Sequence, residues 1–151
     1  MTKLNLGSGY GKMPGYVNID NRQEVEPDLC CDILDGLPFE DNSVDEIRAY
    51  DFLEHIPTLS TIAVMDDMWR ALKPGGILDT YTPDAEHGQG AFMDPTHINF
   101  WTEGRWIYFT DPAHRRLYGV QAQFEIEHLR RILTHEKQRI YHLHVVARAV
   151  K

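Results

Sequence analysis

The 151-residue chain predicts an α/β sandwich: a sheet with helices between some of its strands and an antiparallel pair at its end. Three observations predict it. The opening LNLGSGYG joins an apolar strand to a glycine-rich turn, as at the first strand of many open α/β sheets. Leu59, Ile62, Met65, Trp69 and Leu72 recur at helical spacing and give one apolar face. The chain closes with two alternating runs, Val120, Ala122, Phe124, Ile126 and then Tyr141, Leu143, Val145, Ala147, Ala149, which read as paired strands.

The elements follow in order. A strand at Lys3–Leu6 leads through the glycine turn to a second at Tyr16–Asp20 and a third, DLCCDI, at Asp28–Ile33. After the turn-like LPFEDNS, Val44–Tyr50 reads as a fourth strand. The helix over Leu59–Leu72 ends at LKPGG, because Pro74 cannot continue it and Gly75 and Gly76 permit the turn into a fifth strand, ILDTYTP. A long polar loop is expected from Asp84 to Trp101, then helical segments within Thr102–Leu117 with Thr102 as N-cap. The links between the first three strands are too short for full crossover helices. One face of that half-sheet is therefore expected to expose apolar surface, which favours a homodimer.

Length and composition fit a single domain over residues 1–151. No signal peptide or spanning segment is read, and adjacent Cys30 and Cys31 suggest a reducing, cytoplasmic setting. The net charge of −8 disfavours duplex nucleic acid as a partner, and no membrane partner is expected. The basic clusters HRRLYG and HLRRIL read as solvated faces or as a local rim at a substrate entrance.

GSGYG places glycines at 7, 9 and 11, with Lys12 where the dinucleotide fingerprint G-x-G-x-x-G needs its last glycine. No long helix follows to supply a pyrophosphate-binding dipole, which argues against a nicotinamide-dependent oxidoreductase. A ligand without phosphates can still use the close backbone approach glycine allows. Asp20 ends the second strand, where a carboxylate can accept both ribose hydroxyls, and Asp32 beside Ile33 suits an adenine amino group and ring face. Ligands of open α/β sheets bind beyond the carboxyl ends of strands, so the pattern points to an adenosine without phosphates, with S-adenosylmethionine as the leading candidate.

LNLGSG, PGYVNID, CDILDGLPFEDNSVDEIRAYDFLEHI and MWRALKPGGILDTYTPD together resemble the small class I S-adenosylmethionine-dependent methyltransferases of the methyltransferase-domain group. The likeness spans roughly Lys3 to Asp84 and continues weakly through DPTHINFWT. It implies a Rossmann-like, seven-stranded sheet ordered 3-2-1-4-5-7-6 with the last strand antiparallel, here with reduced helices in the N-terminal half. It also implies that the glycine turn, Gly7 and Gly9, holds the methionine end, Asp20 the ribose and Asp32–Ile33 the adenine. Asn5 stands where the family carries an acid in the first strand, able to hydrogen-bond but not to supply charge.

Methyl transfer needs alignment above all, and a general base only where the nucleophile carries a proton of high pKa. Tyr50 and Asp51, at the end of the fourth strand, are candidates to contact the cofactor beside the reacting methyl, with His55 nearby; Asp51 to Glu54 also has the spacing of a helix capping box. The loop after the fifth strand reads either as a surface loop or as a lid hinged at Gly88 and Gly90 that carries a base. His97 is the first choice for that base and Asp84 the second. His142 and His144 share a strand face, and His87, Asp94 and His97 could cluster. Neither group has diagnostic metal spacing, and no metal is assigned. The expected acceptor is a small or peripheral molecule; the alternative is a non-catalytic S-adenosylmethionine- or S-adenosylhomocysteine-binding regulatory or scaffold domain.

Overall fold

The computed structural model describes every residue, Met1–Lys151. Seven strands form one sheet in the order β3-β2-β1-β4-β5-β7-β6: β1 (Lys3–Leu6), β2 (Val17–Asp20), β3 (Leu29–Cys30), β4 (Val44–Tyr50), β5 (Leu72–Gly88), β6 (Phe124–His135) and β7 (Ile140–Ala149). β1 to β5 pair in parallel, whereas β7 runs antiparallel to both neighbours. Four helices accompany them: α1 (Thr61–Ala71), α2 (Gly90–Met93), α3 (Ile107–Thr110) and α4 (Pro112–Tyr118). The links β1–β2, β2–β3 and β3–β4 contain at most single 3₁₀ turns, so the N-terminal half lacks crossover helices.

The strand expected over Asp28–Ile33 is only Leu29–Cys30. Asp32 leaves the ladder because its carboxylate accepts the Leu34 amide at 3.0 Å and caps a 3₁₀ turn over Ile33–Asp35. A side chain that satisfies the local backbone competes with strand pairing. The helical face is also rotated from its expected position. A 3₁₀ turn occupies Thr58–Ser60, so α1 starts at Thr61 and Leu59 is left fully exposed. The buried stripe is Thr61, Val64, Met65, Met68 and Ala71; Ile62 and Trp69 only flank it. Arg70, braced by Asp67 on the same helix, fixes the helix to the turn before β4 through Asp41 and through the Phe39 and Leu37 carbonyls. At Pro74 the chain turns as expected, with Gly75 at φ +75°, and the β4–β5 register shifts there.

The two faces of the sheet differ. Alternation along each strand places Leu4, Leu6, Ile47, Ala49, Leu78 and Val145 on one face, inside a single apolar cluster with α1 and the aromatic trio Trp101, Trp106 and Phe109. Residues of opposite parity make the other face. Asn5 lies beside Asn18 on β2 and Arg48 on β4, and Arg48 lies beside Asp79 on β5. Lys3 pairs with Glu46 at 2.6 Å, and Tyr50 meets both Asp79 and His144. The bare half-sheet is thus polar rather than apolar, with Asn5 and Asn18 buried in mutual hydrogen bonding, so it supplies no hydrophobic patch to bury against a second copy. The expectation of a homodimer loses its physical basis.

β5 runs on to Gly88, which shortens the expected loop. Gly88 pairs with Ile140, and a Cβ there would stand 1.9 Å from the Arg139 carbonyl oxygen; at Gly90 it would stand 2.5 Å from Ile140. These glycines permit close packing and are not hinges. The segment is also pinned by Ala85 to Trp101 and by the Ile98 and Asn99 amides on the Glu54 carbonyl. Thr102 occupies the expected cap position without a side-chain bond, while Asp111 caps α4 through the Ala113 and His114 amides.

Candidate active site

A cleft of about 460 Å³ opens beyond the carboxyl ends of β1, β2 and β3, within the range of small-ligand sites. Its first wall is the glycine turn. Gly7 has φ +62°, and a Cβ on it would come within 2.4 Å of the Phe52 ring, so glycine is required both for the turn and for that contact. Gly9, at φ +48°, does not line the cleft but donates its amide to Asp20 Oδ2 at 2.8 Å. Ser8, between them, has a buried hydroxyl with no partner.

Asp20 reaches the cleft at the end of β2. Its other oxygen accepts from the Arg22 amide at 3.0 Å and the Arg22 guanidinium at 3.2 Å. Burial alone would raise its pKa, but the Gly9 and Arg22 amides and the Arg22 charge outweigh it and hold the carboxyl below its ordinary value. Asp32 and Ile33 line the next part of the wall, with Leu34 beside them. Asp51 faces the cleft from the end of β4, at φ +46°, with His142 Nε2 3.3 Å from its carboxylate. Three carboxylates against one guanidinium make the cleft electronegative, as a cationic ligand requires.

After Asp51 the chain makes a 3₁₀ turn at Leu53–His55 that presents Phe52, His55 and Pro57 to the cleft. The capping box that the Asp51–Glu54 spacing also allowed does not form, because Asp51 makes no cap bond and Glu54 turns inward. Glu54 is 2% exposed, and neither carboxylate oxygen has a hydrogen-bond partner. Burial, with the charges of Asp51 and Asp94 added, pushes its pKa up to about 8.

Besides Gly9, four expected site residues lie off the cleft wall. Asn5 donates to the Asn18 side chain at 3.0 Å and to the Gly11 carbonyl at 3.4 Å, stitching β1 to β2 on the polar face. Tyr50 is also on that face, where burial and then the Asp79 charge raise its pKa to about 12. Asp84 is wholly buried and engaged by Arg131 at 2.5 Å, His87 at 3.2 Å and the Glu86 amide at 2.9 Å. His97 stands next to His55, ring centroids 5.0 Å apart, with Nδ1 3.1 Å from the Ala91 carbonyl oxygen. Sequence reasoning missed Phe52 and Arg22. A basic residue two positions beyond a strand-end acid was the available signal for Arg22; Phe52 had none.

Residues 13–79 match the methyltransferase domain family. No curated protein matches the chain in sequence. Among solved structures, an S-adenosylmethionine-dependent methyltransferase from Methanosarcina mazei superimposes with a TM-score of 0.67 at 20% identity, covering 99% of this chain and 92% of that one. The 1,6-didemethyltoxoflavin-N1-methyltransferase of Burkholderia thailandensis, solved with 1,6-didemethyltoxoflavin and S-adenosylhomocysteine, gives 0.67 at 13% identity over 99% and 71%. The [4+2]-cyclase SpnF gives 0.69 at 16% over 99% and 74%. At these identities the structures speak to fold. The chain has the fold of the class I S-adenosylmethionine-dependent methyltransferases, and its residues 13–79 match the methyltransferase domain family.

Proposed function

We propose that the chain transfers the methyl group of S-adenosylmethionine to a small-molecule acceptor at the mouth of the β1–β3 cleft. The observation that carries this reading is the convergence of Gly7, Asp20 and Asp32–Ile33, from three successive strand ends, on one cleft. Asp20 would take the ribose hydroxyls, Asp32 the adenine amino group and Ile33 with Leu34 the ring. The turn at Gly7–Gly9 would hold the methionine end. Asp51 would face the cationic end.

When bound, the cofactor supplies a methyl already activated on a sulfonium carbon. The chain's own task is alignment, worth up to ~7–11 kcal/mol of barrier in favourable cases. Phe52 and Pro57 exclude water, and His55 is the imidazole placed to meet an acceptor. In this reading His97 positions His55 from behind, and Asp84 shapes the wall through Arg131. A small acceptor agrees with the modest cleft and with the small molecule bound to the Burkholderia relative. The net charge of −8 disfavours duplex nucleic acid. No helix is long and apolar enough to cross a membrane. The free thiols of Cys30 and Cys31 support a cytoplasmic setting.

A second reading, cofactor binding without methyl transfer, is favoured by one observation: Asn5 is spent on Asn18, so β1 offers no charged group to the ligand. Formation of S-adenosylhomocysteine in the presence of an acceptor library separates the two. Turnover with any acceptor establishes the first reading. Tight cofactor binding with no turnover across the library supports the second.

A further inference from the structure

We propose that Glu54, His55 and His97 form a binding site for a divalent transition-metal ion of the zinc class, beside the mouth of the cofactor cleft. One ligand atom from each lies within 4.8 Å of the other two. Ligands of a tetrahedral zinc ion stand about 3.3 Å apart, so closure by at most about 1.5 Å through side-chain rotation completes the set. Two imidazoles and one carboxylate are a donor set that suits zinc or iron(II) and leaves a coordination position open.

Two independent features single out this trio. The first is Glu54, a 2%-exposed carboxylate with both oxygens unpartnered. A buried carboxylate without hydrogen bonds is costly, and a cation among its neighbours removes that cost. The Ile98 and Asn99 amides bond to its carbonyl, at 2.9 and 3.0 Å, and hold the segment in place without touching the side chain.

The second feature is the orientation of the imidazoles. His97 Nδ1 lies 3.1 Å from the Ala91 carbonyl oxygen, and His55 Nδ1 lies 3.3 Å from the Thr96 carbonyl oxygen. A carbonyl only accepts, so each Nδ1 carries its proton and each Nε2 keeps a lone pair. Metal-binding histidines are typically oriented by this same bond from the other ring nitrogen to a carbonyl. Asp94, with an oxygen 3.8 Å from His97 Nε2, adds negative potential. His55 also lines the cofactor cleft, so an ion here would stand at the edge of the acceptor's space.

The second acid–histidine group, Asp84, Glu86 and His87, lacks these features, because Asp84 is neutralised by Arg131. It serves as the internal control. The test is titration of zinc(II) into chelator-treated protein by calorimetry, with cobalt(II) absorption as a coordination reporter and magnesium(II) as the oxygen-preferring comparison. It requires neither cofactor nor turnover. One zinc per chain is expected, with a tetrahedral cobalt spectrum and a rise in thermal midpoint. Glu54→Gln, close to isosteric, and His55→Ala, on the cleft surface, should each weaken zinc by more than the roughly 10–100-fold that loss of an outer partner costs. His87→Ala should bind as wild type does. Three results would overturn the proposal: no stoichiometric zinc, equal affinity for magnesium, or loss of binding in His87→Ala with retention in Glu54→Gln.

Discussion

Asp20 and Asp84 are both aspartates near the carboxyl ends of parallel strands, both almost fully buried, and both paired with an arginine. They nevertheless belong to different kinds of site. Asp20 is held by the main-chain amides of Gly9 and Arg22, which fix its position and leave it on the cleft wall. Asp84 is enclosed by the Arg131 and His87 side chains, with no surface left for a ligand. The neighbourhood decides the role: short links around β1–β3 leave that edge open, whereas β5 continues past Asp84, which is covered by Trp101 and by Arg131 from β6. A strand-end acid is a ligand group only where the chain leaves it facing space.

The comparison breaks most sharply at Arg131. Arg131→Met strands the buried Asp84 carboxylate, with His87 as partial compensation, and should cost about 2–4 kcal/mol. Denaturant midpoints would show this, while affinity for S-adenosylhomocysteine should stay at the wild-type level. A large loss of affinity with unchanged stability would instead give Asp84 a part in the cofactor site. Gly7→Ala comes next. Its Cβ must displace the Phe52 ring from a left-handed backbone, at about 2–3 kcal/mol of stability together with weakened binding. Gly15→Ala, also left-handed at φ +82° but with open space around it, should cost less in the same assay and leave binding alone.

The strands were legible because their signals are local. β1, β4 and β7 alternate clearly, and their limits stand within about a residue of expectation. Gly7 and Asp20, at the ends of β1 and β2, were legible for the same reason, and Asp32 and Ile33 line the same cleft from a 3₁₀ turn just beyond β3. Tertiary competition decided the rest. Leu59 has the right spacing for the helical face, yet the helix starts two residues later. Gly88 and Gly90 look like hinges in sequence, but their lack of a Cβ serves close packing against Arg139 and Ile140. Asn5 and Tyr50 alternate onto the polar face, a feature readable only once strand register places Asn18, Arg48 and Asp79 beside them.

That face gives a smaller effect. Asn5→Ala removes the bond to Asn18 and should cost about 1 kcal/mol, with little change in cofactor affinity. A tenfold loss of affinity would return Asn5 to the site. The smallest expected effect is on pH dependence. Asp20 is depressed in the fold, so the unfolded chain binds more protons just below the ordinary value of 3.8. Its contribution is present above that pH and is lost as pH falls through the depressed value, at no more than about 1.4 kcal/mol per unit. Asp20→Asn should flatten that acid limb in urea titrations between pH 2 and 4, whereas an unchanged limb would mean that other carboxylates govern it.

The central claim is that the open β1–β3 edge, through Asp20, holds S-adenosylmethionine. Calorimetric titration of S-adenosylhomocysteine into wild type and Asp20→Ala, with Arg131→Met alongside, tests it most directly. One site per wild-type chain is expected, with a loss of roughly 10–150-fold in Asp20→Ala for the missing charge-assisted bonds and unchanged affinity in Arg131→Met. No binding by the folded wild type, or equal affinity in Asp20→Ala, would contradict it.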